Sequence, residues 1–88
     1  MSQILIIAEH DGVRLNQSTA RCLSCAKELD PGGADIVVLG DNCAAVASQA
    51  AALSGAIRVL TVTRPENRSA LAAVLAPQIA ELAAAYSY

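Results

Sequence analysis

The chain has 88 residues, a formal net charge of −2 and 55% hydrophobic residues, with neither tryptophan nor phenylalanine. That length holds one small domain at most, and its core must be built from Leu, Ile, Val and a large share of Ala. Interspersed charges, and aromatic residues confined to Tyr86 and Tyr88 at the far end, exclude the basic face and stacking platforms that nucleic-acid binding requires.

Met1-Ser2-Gln3 leads directly into an apolar run at residues 4–8. This is neither the basic start and long apolar stretch of a secretory signal nor the roughly 20 apolar residues of a membrane helix. The chain therefore reads as soluble and cytoplasmic, with its three cysteines as reduced thiols.

The first strand is predicted over residues 3–9, and its continuous apolar character suits burial on both faces of a parallel sheet. A polar turn, His10-Asp11-Gly12-Val13-Arg14, follows. Asn16 or Ser18 then caps a first helix by accepting a hydrogen bond from an otherwise orphan N–H. Leu15, Thr19, Leu23, Ala26 and Leu29 recur at helical spacing and define its inward face. Asp30-Pro31-Gly32-Gly33 ends it, because proline cannot continue a helix and glycine accepts left-handed dihedrals.

The second strand is predicted over residues 35–40. Asp41 or Asn42 caps the second helix, whose stripe is Val46, Ala50 and Leu53, with Gly55 past its end. The third strand spans residues 57–63. A third helix is predicted over residues 67–84, with Leu71, Val74, Leu75, Ile79 and Leu82 facing inward. Pro77 lies inside it and predicts a kink or a break. Tyr86-Ser87-Tyr88 is β-prone and reads as the start of another strand.

Strand and helix alternate three times, which gives the fold class as α/β. The architecture is an open parallel sheet of three strands, with an incipient fourth, helices on both faces and βαβαβα order. A helix leading to no strand reads as the opening portion of a larger doubly wound unit. In such units the winding reverses beside the first strand. The edge of that strand would then be open, an association hazard.

Glu9-His10-Asp11 falls at the carboxyl end of the first strand, where open α/β sheets take ligands. His10 could serve as acid, base or donor, yet no nucleophile or second base converges with it in the sequence, and a polar turn accounts for it more simply. Cys22 and Cys25 form a C-x-x-C string past the first helical turn, where thiol activation is weak. They read as small buried hydrophobes. A zinc site would need Cys43 and His10 to converge with them. No glycine-rich phosphate loop or Walker sequence follows the first strand. Gly40 would allow close backbone approach, but Asp41 beside it would repel a phosphate. Arg64-Pro65-Glu66 reads as a solvated turn, with Asn67 or Ser69 available to cap. No residue is assigned a catalytic, cofactor-binding or metal-binding role.

The segment I-L-I-I-A-E-H-D (residues 4–11), with Leu15-Asn16 opening the next helix, resembles the amino terminus of the electron transfer flavoprotein alpha subunit. V-L-G-D-N-C-A-A-V-A (residues 38–47) is similar to the family's second strand, glycine turn, cysteine and Val-Ala helix. Leu53-Ser54-Gly55 before Val59-Leu60, and the alanine-rich residues 75–86, continue the likeness across essentially the whole chain. Arg64-Pro65 departs from it, standing where acidic residues are common in the family.

The resemblance implies part of an N-terminal domain of adenine nucleotide alpha hydrolase-like fold, serving as scaffold against a beta subunit. In the family the heterodimer carries one FAD. It moves electrons from flavin dehydrogenases, such as the acyl-CoA dehydrogenases of fatty acid beta-oxidation, to a quinone-linked oxidoreductase. The FAD motif lies in a C-terminal domain, so the resemblance implies no cofactor for these 88 residues and no enzymatic activity of their own. The alternative is a stand-alone, dimeric nucleotide-binding module of the universal-stress-protein type.

Overall fold

The computed structural model describes residues 4–68 and 72–86, apart from the side chains of residues 72 and 73. In chain order these form β1 (Leu5–Ile7), α1 (Gln17–Leu29), β2 (Ala34–Gly40), α2 (Ala44–Ala51) and β3 (Ala56–Thr63). A 3-10 turn, Pro65–Arg68, then precedes α3 (Ala72–Tyr86). The strands make one parallel sheet in the order β1-β2-β3. The predicted α/β class and open parallel sheet hold.

β2 is the centre. Ile6 pairs with Ile36 on one side, and Val59 with Ile36 on the other. Strands on both edges and helices on both faces leave every residue of β2 buried. Ile36 and Val38 share their face with Ile6 and Ala8, and α1 and α2 cover it with Leu23, Ala26, Val46 and Ala50 in one cluster. Two right-handed crossovers stepping in the same direction put both helices there. The opposite face presents Asp35, Val37 and Leu39, toward which α3 brings Leu75 and Tyr86.

Asn16 caps α1, its Oδ1 accepting the Ser18 N–H at 2.9 Å. Thr19, Leu23 and Ala26 are buried as predicted, but Leu29 is 82% exposed. Leu29 is the last residue of α1 and falls ~80° around the helix axis from Thr19, at the margin of the stripe centred on Thr19, Leu23 and Ala26. Ile7 likewise departs from a strand buried on both faces, being 43% exposed. β1 is a three-residue edge strand, and α3 covers only part of that side.

Asn42, one of the two predicted caps, serves α2 from the position before the N-cap residue. Its Oδ1 accepts the Ala44 N–H at 3.3 Å, while Cys43 is the N-cap residue and makes no side-chain cap bond. Leu53 packs against the core from beyond the helix end. The third helix starts later than residue 67, after the 3-10 turn. Pro77 does not break it: α3 runs continuously from Ala72 to Tyr86. The ring sits on an exposed side, where one missing backbone bond is readily replaced by water. Val74, Leu75, Ile79 and Leu82 are half-buried. Tyr86 is helical rather than the start of a strand; Leu71, Ser69, Ser87 and Tyr88 lie outside the described residues.

Candidate functional site

The carboxyl ends of β1 and β2 open into a cleft of about 530 Å³, bounded by Glu9, His10, Asp11, Asp41 and Arg68 and floored by Ile7, Leu39 and Leu75. Parallel sheets gather chemistry at this end because crossover loops converge there. What matters is whether the polar groups in the cleft remain available to a ligand.

His10 is committed to the fold. Its Nε2 lies 2.7 Å from the Leu39 carbonyl, and its Nδ1 accepts the Gly12 N–H at 3.0 Å. With Nδ1 accepting from the loop, Nε2 is the ring nitrogen placed to donate across to β2. Asp11 folds the turn beneath it, Oδ1 accepting the Arg14 N–H at 2.7 Å and the Val13 N–H at 2.9 Å. Those backbone donors, Arg14 first, hold the Asp11 carboxyl below its ordinary pKa of 3.8. Any stability from this charge is present above that value and fades as pH falls below it. Gln49 of α2 completes the loop: its Oε1 accepts the Leu15 N–H at 2.8 Å and its Nε2 donates to the Val13 carbonyl at 2.7 Å.

Across the cleft, Arg68 Nε donates to Asp41 Oδ2 at 2.9 Å. That bond draws the Asp41 carboxyl below its usual range. Asn67 and Gln78 exchange amide hydrogen bonds at 2.9 and 2.6 Å, pinning the 3-10 turn to α3. Arg64, Pro65 and Glu66 are exposed, as predicted for a solvated turn.

Gly40 decides the fit for a phosphate-bearing cofactor. A Cβ there would stand 3.2 Å from His10 Cε1 and 3.5 Å from Cys43 Sγ. The room that a missing side chain provides is therefore taken by the imidazole and the thiol. It is no cradle for a pyrophosphate. Glu9, Asp11 and Asp41 on the rim add negative charge, and the adjoining shallow depression at the start of α1 mixes Arg14 and Arg21 with Glu9 and Asp11.

The cysteines divide otherwise than expected. Cys43 is buried, its Sγ 3.5 Å from the Val38 carbonyl and 3.7 Å from that of Val62. Cys22 and Cys25 are free and exposed, not buried. Each directly precedes an inward residue, Leu23 or Ala26, and so is turned ~100° out of the core stripe. They do not approach Cys43 or His10. Among the described residues no three His, Cys, Asp or Glu side chains gather to hold a metal.

One buried charge was not singled out from the sequence. Asp35 sits fully buried in β2, and Arg58 of β3 clasps its Oδ2 through Nε at 3.1 Å and Nη2 at 2.6 Å. The ring of Tyr86 lies 5.2 Å from the guanidinium carbon. A carboxylate inside the apolar string A-D-I-V-V-L-G was the available signal, since such a group needs a charged partner.

A match to the electron transfer flavoprotein domain covers residues 4–88. The chain belongs to the electron transfer flavoprotein domain family. It is 38% identical over 85 residues to an electron transfer flavoprotein subunit alpha of Pseudomonas aeruginosa, covering 97% of this chain and 27% of that protein. A mitochondrial electron transfer flavoprotein subunit alpha of Dictyostelium discoideum is 33% identical over 81 residues, 92% of this chain and 23% of that protein. The chain thus spans about a quarter of the length of these curated relatives. No solved structure matches. Within this electron transfer flavoprotein domain, no helix of the described residues is long and apolar enough to cross a membrane.

Proposed function

We propose that this chain is the scaffold portion of an alpha-type subunit in a heterodimeric electron transfer flavoprotein. It contributes a rigid α/β layer against a beta-type subunit and does not hold the flavin. The family match across residues 4–88 carries the reading. The cleft supports it: His10, Asp11 and Asp41 are spent on holding loops together, and Gly40 is filled from within. FAD, which carries the electrons from flavin dehydrogenases toward a quinone-linked acceptor, is held by parts of the alpha subunit outside these residues.

Titrating the purified chain with FAD, followed by flavin fluorescence, tests the proposal. The expected result is no stoichiometric binding. Tight one-to-one binding of a flavin that dithionite then reduces would overturn it. The position of the cleft, at the carboxyl ends of β1 and β2, favours a second reading as a small nucleotide-binding module. Calorimetry with ATP and AMP separates the two: micromolar binding supports the module, and absence of heat supports the scaffold.

A further inference from the structure

The outer face of α1 carries a feature that neither the core nor the cleft uses. Cys22 and Cys25 are both free and both exposed, although cysteine is among the residues most often buried. They stand three apart on one helix, so their Cβ atoms lie about 5–6 Å from each other. The geometry points to a two-thiolate clamp for a single soft, monovalent metal ion of the Cu(I) class.

Two distances select this occupant. A disulfide prefers Cβ atoms about 3.5–4.5 Å apart, closer than the spacing of an undistorted helical turn. An ion bound between two thiolates, with metal–sulfur bonds of about 2.3 Å as for zinc, spans the gap with the helix intact. The lack of a third gathered ligand among the described residues then discriminates between ions. Zinc takes four ligands, whereas thiolates favour soft Cu(I), which two of them satisfy. On binding, two S–H bonds break, two metal–sulfur bonds form and two protons leave to solvent. No electron is transferred.

Anaerobic titration of the intact chain with Cu(I), against a coloured Cu(I) chelator, reads the site. Native mass spectrometry gives the stoichiometry, and a thiol reagent counts what remains reactive. One ion per chain is expected, with both fast-reacting thiols protected and the buried Cys43 unchanged. Cys22→Ser and Cys25→Ser should each weaken binding by about 100-fold or more, since the second thiolate acts at high effective concentration.

A register control keeps the test independent of thiol number. Cys25→Ser combined with Ser24→Cys retains two exposed thiols but points them to different sides of the helix. It should bind as weakly as the single variants, with helicity by circular dichroism unchanged. Equal affinity in this register variant, two chains per ion, or a ready Cys22–Cys25 disulfide under mild oxidation would each overturn the clamp.

Discussion

Asp35 shows how one residue can tie three elements together. Its carboxylate is fully buried in the middle strand, and the guanidinium that balances it comes from β3, at 2.6 Å. The same guanidinium lies over Tyr86 at the end of α3. Removing Arg58 leaves the carboxylate in an apolar interior with its main cation gone. Because the Arg58 side chain is 43% exposed, solvent already weakens the pair, and Arg58→Ala should cost about 2 kcal/mol rather than the larger loss of a wholly buried ion pair. Adding Asp35→Ala to that variant removes the stranded charge and should restore part of the loss. Chemical denaturation measures both. A double variant no more stable than Arg58→Ala alone would sink this account. The composition of β2 advertised the problem but not its solution, because which arginine reaches Asp35 depends on the register of β3.

Among elements, helix and strand identities were legible because their patterns are strong: β2 from the apolar run at residues 36–39, α1 as a stripe of Thr19, Leu23 and Ala26. The ends were less so. Leu29 was placed inward by its spacing and Tyr86 in a strand by its residue type, yet position at the end of α1 and continuation of α3 decided their places. The side-chain ties also escaped the sequence: Gln49 to the β1–α1 loop, and Asn67 to Gln78, join residues 34–36 and 11 positions apart, and no local pattern encodes them. One joint shows the consequence. Gly33, with φ of 97°, starts the approach to β2, and a Cβ there would fall 2.1 Å from the Gly55 carbonyl oxygen. That oxygen accepts the Ala34 N–H at 3.0 Å and so aligns β2 with β3. Gly55 has a similar φ of 95°, but its Cβ would meet the flexible Lys27 side chain, at 2.6 Å. Gly33→Ala should therefore cost about 3 kcal/mol and Gly55→Ala about 1–2 kcal/mol. Thermal unfolding of the two variants checks the order, and equal losses would show that the backbone collision is relieved elsewhere.

At the scale of the molecule the two faces of the sheet differ. On the α1–α2 side the inward residues Leu23, Ala26, Val46 and Ala50 are all buried. On the other side α3 brings Val74, Leu75, Ile79 and Leu82 only half out of solvent, and buried amides at Asn67 and Gln78 replace part of the apolar contact. Regions with fewer buried apolar contacts open at lower free energy than the rest of a domain. Hydrogen exchange under native conditions should then rank the backbone in three tiers. The amides of β2 exchange slowest, those of α1 and α2 come next, and those of α3 exchange fastest by about 1–2 kcal/mol of opening free energy. The Asn67–Gln78 pair supplies the internal control. Gln78→Ala leaves the buried Asn67 side chain with only its Nδ2 bond to the Val62 carbonyl, at 3.3 Å, and its Oδ1 without the Gln78 donor, and should speed exchange in α3 while leaving β2 unchanged. If α3 exchanged in step with β2 in both proteins, the two layers would form a single cooperative unit, and the uneven burial would have no energetic weight.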